Sequence, residues 1–240
     1  KIPRMTGGTS GYWVGENKSK PLTAPSFDSI TLDHFKIAGI VALSRELVML
    51  STPSAEAIVR DDLARAIAQL ADDSFTDPDR AEVSTVSPAS VTYNVTPRVS
   101  SGTDYAAFVA DWKAMMANFL AANITPDVVL LSQAQALSFS LMETTLGVRR
   151  FPEIGIEGGR LQGLTAIASE NIQYTEDSPQ EGSPIIALRA SEIALADEGG
   201  VSIDVSTEAS VQMDSAPTDP ITASQVLVSF WQQNLVGIRA

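Results

Sequence analysis

Hydrophobic positions along this chain follow first a period of two and then a period near 3.6. From Phe35 the apolar residues alternate, so that Phe35, Ile37, Gly39, Val41 and Leu43 fall on one face of a strand. The opposite face, Lys36, Ala38, Ile40, Ala42 and Ser44, is small or polar apart from Ile40. Upstream, "GYWVGE" (Gly11–Glu16) is also extended in character, and "NKSKPLTAPS" (Asn17–Ser26) has the composition of a turn. The pattern predicts one long hairpin over Gly11–Ser44. At roughly 3.3 Å per residue, arms of about a dozen residues reach about 40 Å. A two-stranded ribbon of that length is marginal in water and must lie on its own body or on another chain.

The period then changes. Val59, Leu63, Ile67 and Leu70 sit at i, i+4, i+8 and i+11 and predict an amphipathic helix over about 53–75. Thr52 is placed to cap it, with Pro53 at the first helical position and Glu56 near the favourable end of the dipole. The helix should stop before Asp77-Pro78, giving a rod of about 33 Å. Residues 78–101, rich in Ser, Thr and Pro, read as an irregular connection. A second helix is predicted from Thr103 to Ala122, with Tyr105, Phe108, Trp112, Met115 and Phe119 on one face. "PDVVLLS" (Pro126–Ser132) reads as a buried strand, Ser132 as the cap of a third helix reaching Thr144, and "GLTAIAS" (Gly163–Ser169) as another strand. That order predicts a compact α/β lobe over 98–180. After the polar "QYTEDSPQEGSP" (Gln173–Pro184) only strands are expected: "IIALR", "EIALADEGGVSIDVS" turning at Glu198-Gly199-Gly200, "EASVQM", and one long strand "SQVLVSFWQQNLVGIRA". No internal repeat is evident.

Composition narrows the function classes. With 44% hydrophobic residues the chain can bury a substantial core, and global disorder is excluded. The formal charge of −13 argues against general nucleic-acid binding, which needs Lys and Arg to displace counterions. It argues equally against docking on an anionic membrane face. The charge is uneven: residues 1–50 carry six Lys and Arg against four acids, whereas the rest carries ten against 25. A basic arm on an acidic body is a clue about partners. There is no cysteine, which removes disulfides and thiolate chemistry. The longest apolar runs, such as Ile37–Leu43, are far too short to span a bilayer.

Candidate chemistry is sparse. His34, the single histidine, lies beside Asp33 in the alternating segment, too few ligands for a metal and too exposed a setting for a Ser-His-Asp triad. Asp61-Asp62 and Asp72-Asp73 are adjacent helical pairs that point about 100° apart and read as a solvated face. "EGGR" (Glu157–Arg160) and "DEGG" (Asp197–Gly200) read as glycine turns without the spacing or lysine of a phosphate loop. Trp112 and Met115-Met116 have core spacing. Trp13, Lys18 and Lys20 could stack on single-stranded nucleic acid, against which the net charge stands. No catalytic, cofactor or metal site is expected.

Three stretches carry a resemblance. "WVGENKSKPLTAPSFDSITL" followed by "KIAGIVALSRELV" resembles the extension loop and return strand of tailed-bacteriophage major capsid proteins with the Hong Kong 97-like fold. "SAEAIVRDDLARAIAQLADDSF" is similar to that family's spine helix. "SEIALADEGGVSIDVSTEASVQMDSAP" with "VLVSFWQQNLVGIRA" resembles its peripheral strands. "TPDVVLLSQAQALSFSLMETT" and "GLTAIAS" stand where its axial domain belongs. The resemblance implies an α+β chain with an extension-loop hairpin at 1–48, a peripheral domain at 49–97 and 181–240, and an axial domain at 98–180. It implies a non-enzymatic shell protein of a phage or prophage, without cofactor, assembling with copies of itself into hexamers, pentamers and an icosahedral shell. DNA would be only non-specific content, no membrane is involved, and scaffold, portal and maturation protease are further implied partners. The location implied is the virion capsid, after the host cytoplasm. Against the family's usual extent, the chain looks like a piece trimmed at both ends. On this reading the hairpin lies across a neighbouring copy, with Lys18 and Lys20 as rim charges and Trp13 as the apolar anchor. Isopeptide cross-linking, which some members perform, would draw on Lys18 or Lys20 and an asparagine such as Asn234. The rivals are an encapsulin-type nanocompartment shell, which needs a cargo-binding surface, and a head-maturation hydrolase, which His34 serves poorly.

Overall fold

A computed structural model describes residues 1–51, 55–172, 183–197 and 199–240, which divide into two units, Lys1–Lys36 and Ile37–Ala240. The smaller unit is a hairpin, but not the one the alternation predicts. Its strands are β1 (Ile2–Gly7) and β2 (Ser26–Ile30), antiparallel, with Arg4 opposite Asp28 and Met5 opposite Phe27. Gly11–Glu16 is not a strand, and neither are residues 31–39. Strands of six and five residues span roughly 20 Å, about half the predicted reach.

The alternating segment becomes a strand only at β3 (Ile40–Ser44), and it belongs to the larger unit. Ser44 ends it and caps the short helix α1 (Arg45–Leu50), its hydroxyl accepting from the Leu47 amide at 3.3 Å. Helix α2 (Ala55–Thr76) follows the predicted stripe, with Leu63 buried, Val59 and Ile67 half-buried and Leu70 exposed. The predicted cap Thr52-Pro53 lies outside the described residues, and the Ser51 hydroxyl accepts from the Ala55 amide at 3.0 Å. At its other end the helix stops before Pro78. The irregular segment returns to satisfy its last carbonyls: the Val91 amide donates to Phe75 O at 3.1 Å and the Thr92 hydroxyl to Thr76 O at 2.8 Å.

The chain then runs through α3 (Tyr105–Ala121), β4 (Val128–Leu131), α4 (Gln133–Ser140), β5 (Ile154–Gly155), β6 (Gly158–Leu161), β7 (Leu164–Ala168) and β8 (Ile186–Leu188). Asp104 and Ser132 cap α3 and α4 through their side chains. The third helix ends at Ser140, short of the expected Thr144. The five strands form one sheet in the order β5-β6-β7-β4-β8, with β4 and β7 parallel and the other pairs antiparallel. The core sits on the face that carries Val129 and Leu131. Phe108 of α3 meets Phe139 of α4 and Phe151 there, at ring centroid distances of 5.0 and 5.3 Å.

Two expectations change within this lobe. "IIALR", assigned to the peripheral strands, is the sheet's edge strand β8, bonded to β4. "EGGR", read as a turn, supplies β6. Gly158 and Gly159 adopt φ of +109° and +138°, and a Cβ on either would strike the neighbouring backbone at Ala166 or Glu153. Glycine is what lets the strand pass between its neighbours.

The remaining elements are β9 (Asp204–Ser206), β10 (Ser210–Gln212), β11 (Leu227–Ser229), α5 (Phe230–Gln233) and β12 (Leu235–Arg239). The expected single long strand is broken by α5, which ends at Asn234 in the left-handed conformation (φ +54°) and hands over to β12. β12 is the centre of a three-stranded sheet, paired with β3 on one side and β9 on the other, while β10 and β11 form a separate ribbon. Among the described residues of the long "EIALADEGGVSIDVS" segment only Asp204–Ser206 is a strand. Glu198 of the expected turn is outside the described residues.

Candidate assembly interface

The unit Lys1–Lys36 contains no buried residue. Its ladder is held by backbone bonds and by Thr6 donating to the Ser26 hydroxyl at 3.1 Å. Its apolar side chains have no interior to enter: Met5 and Phe27 are exposed, Leu22 is 96% exposed and Trp13 wholly so at 105%. Scattered surface hydrophobes are ordinary, but a unit whose large apolar side chains all escape burial has no core of its own.

Trp13, Lys18 and Lys20 all lie in the loop between β1 and β2. A tight turn at Glu16-Asn17 closes when the Lys18 amide donates to Gly15 O at 3.3 Å, with Asn17 at φ +59°. The turn holds the lysines near the tryptophan along the chain, all three exposed. His34 and Asp33 are exposed on the segment after β2, and Asp61 and Asp62 are exposed on α2. Among the described residues no group of three His, Cys, Asp or Glu could hold a metal ion. Among the described residues no helix is long and apolar enough to cross a membrane.

Two carboxylates are shifted for different reasons. Asp73, near the end of α2, is raised from the ordinary carboxylate value by partial burial, then by the charges of Asp72 and Asp77. Asp111 of α3 is lowered, chiefly because the Ser101 amide donates to it at 2.8 Å, with Ser100 and Arg98 adding to the effect. It ties the segment before α3 to that helix.

A loop tip and a groove in the larger unit escape any reading of the sequence. Between α4 and β5, Thr144–Val148 forms a tight turn that exposes Leu146 and Val148. Along the second half of α3, Trp112, Met116, Phe119 and Leu120 with Pro126 and Leu164 line a groove of about 300 Å³. The only signal for the first is a leucine beside the turn-forming Gly147. For the second there is none, because groove and core residues share one helical period.

The profile of the phage capsid family matches residues 1–240. The chain belongs to the phage capsid family. It is 46% identical over 238 residues to the "Capsid polyprotein" of Pseudomonas phage PAJU2, covering 98% of this chain and 35% of that protein. It is 24% identical to the "Probable major capsid protein gp17" of Mycobacterium phage D29, over 100% of this chain and 73% of that one. A solved chain from Mycobacterium phage Ogopogo shares the fold, with a TM-score of 0.69 at 16% identity over 99% of this chain and 79% of that chain. This capsid-family chain thus spans about a third of the length of the first of these relatives and about three quarters of the others. The mixed helix-and-sheet fold expected from the sequence is the fold found.

Proposed function

We propose that the chain is the shell-forming part of a phage or prophage major capsid protein, which assembles with copies of itself into hexamers and pentamers of an icosahedral shell enclosing DNA. The observation that carries this is the unburied hairpin unit in a chain of the phage capsid family. The capsid names of its relatives, and the sheet in which β12 joins β3 and β9, support a Hong Kong 97-like arrangement of extension loop, peripheral domain and axial domain. The protein is structural rather than catalytic. Scaffold, portal and maturation protease are its partners during head formation, in the host cytoplasm, before it resides in the virion.

The physical logic is one of deferred burial. A tryptophan covers about 150–250 Å² of surface, worth about 4–6 kcal/mol gross at about 25 cal/mol per Å². Ordering the loop offsets much of that, and the surplus appears only when Trp13 enters a pocket on a neighbouring copy. Lys18 and Lys20 meet acidic groups of that neighbour and set approach and register more than affinity. A contact from one surface to a different surface closes into rings when the rotation closes.

Electron microscopy of particles from the complete reading frame, expressed with any adjacent scaffold or protease, tests the role. Closed shells, or rings of five and six, are expected. A monodisperse monomer under all conditions would overturn it. Lys18→Glu with Lys20→Glu should slow assembly several-fold and invert its salt dependence. Unchanged yield and salt response would refute the charge contact.

A further inference from the structure

We propose that the turn Thr144–Val148 is a docking knob whose Leu146 and Val148 seat in the α3 groove of a second copy of this chain. The inference rests on the capsid reading above and adds a contact within the larger unit, separate from the hairpin.

The knob is built to be rigid. The Thr144 amide donates to Val148 O at 2.8 Å, the Gly147 amide to Thr144 O at 2.9 Å, and the Val148 amide to the Thr144 hydroxyl at 3.2 Å. Glycine at 147 supplies the φ of +73° that the turn requires. Below it, the backbones of Glu143 and Arg149 face each other in an isolated antiparallel bridge, and the Arg150 amide donates to Met142 O at 2.9 Å. The Arg150 guanidinium lies 3.9 Å over the Tyr105 ring. Nothing in this framework needs aliphatic side chains at the tip, yet Leu146 is 88% and Val148 62% exposed. A preorganised apolar tip loses little entropy on docking.

The groove matches it in chemistry and size. Its walls are aromatic and aliphatic, with only Thr125 and Gln162 polar, and about 300 Å³ is at the low end of the range for ligand pockets. Among the described residues that line it there are no convergent charged groups of the kind a cofactor would use. An aliphatic tip needs only shape.

Position and charge select a second copy as the occupant. The knob's base stacks on Tyr105, the first residue of α3, whereas the groove runs along Trp112–Leu120 toward the other end of a helix about 25 Å long. Knob and groove therefore sit at opposite ends of one framework and meet only between copies, head to tail. Arg149 adjoins the knob and has no ion pair among the described residues, while Asp127 follows Pro126 at the groove and is exposed. A knob-and-groove contact buries far less than the roughly 1,200–2,000 Å² of a self-sufficient interface, so it forms only where other contacts already hold the copies together.

The chain has no cysteine, so paired cysteines report the contact directly. Particles of the complete reading frame carrying Leu146→Cys with Leu120→Cys are oxidised and run on a denaturing, non-reducing gel. The expected result is a ladder of covalent oligomers, with either single variant remaining monomeric. Particles whose doubly substituted subunits stay monomeric, or single variants that cross-link equally, overturn the contact and leave the capsid reading standing. Should the cysteines block assembly, Leu146→Glu decides. A fall of at least tenfold in particle yield with unchanged circular dichroism supports the knob, and an unchanged yield overturns it. Failure of the unsubstituted protein to form particles would overturn both readings.

Discussion

Replacing Gly237 with alanine should destabilise the three-stranded sheet through a single collision. Gly237 is the middle of β12, paired with Ala42 of β3 and Ser206 of β9, so neither flanking strand can move without losing hydrogen bonds. The turn through Asn234 folds α5 back against β12 and brings the ring of Phe230, 1% exposed, onto this glycine. A Cβ at 237 would overlap Phe230 Cε2 outright and stand 3.2 and 3.3 Å from Cδ2 and Cζ. Three ring carbons are engaged at once, so rotating the ring does not relieve the overlap. Overpacking of this kind costs about 1–3 kcal/mol. Alanine returns about 0.5–1 kcal/mol by restricting the unfolded chain. From the middle of each range the net loss is about 1 kcal/mol, which at an m value of about 2 kcal/mol per M moves the urea midpoint down by about 0.5 M. Urea unfolding followed by far-ultraviolet circular dichroism measures it. Phe230→Leu makes room, so the double variant should lose less than the two single losses added together, with a coupling of about 0.5 kcal/mol or more. An unchanged or raised midpoint for Gly237→Ala, or strict additivity in the double variant, would refute the reasoning.

Phe108→Ala, at the centre of the aromatic cluster with Phe139, Phe151 and Trp112, should cost about 3–5 kcal/mol and lower the thermal midpoint seen by calorimetry. Asp111→Asn should loosen the segment that Arg98, Ser100 and Ser101 tie to α3. The folded protein holds the Asp111 carboxyl below its ordinary value, so its contribution is present above about pH 4 and is lost as pH falls through the lower folded value. The stability gap between wild type and Asp111→Asn, read from urea midpoints, should therefore be open at pH 7 and narrow below about pH 4. A gap independent of pH would contradict the carboxylate's role.

The elements that sequence places well are those defined by neighbours along the chain. The stripe Val59-Leu63-Ile67 and the proline at 78 bound α2 to within two residues of Ala55–Thr76, and the aromatic face of α3 appears over Tyr105–Ala121. Ser132 caps α4 as its chemistry requires, and β4 and β7 coincide with their apolar runs. Periods and caps operate within a few residues, so they are legible without a fold.

The residues of the proposed contacts divide the same way. A tryptophan beside lysines in a turn-rich stretch, together with the family resemblance, marked Trp13, Lys18 and Lys20, because turn chemistry is local. The knob and groove went unmarked, because Leu146 and Trp112 differ from core residues only in what packs on them.

Composition, helix positions and a family likeness spread along the chain were thus determined by the sequence itself. Strand partnership was not. Alternation in Phe35–Ser44 predicted an extended segment and one buried face, but its partner is β12, nearly two hundred residues away, rather than Gly11–Glu16. The same holds for β8, which joined β4, and for the "EGGR" strand, which exists because two glycines pass between backbones that only the folded sheet brings together. A strand's period names the face it buries. Which edge it pairs with is settled by long-range hydrogen bonds and packing, and those exist only in the tertiary structure.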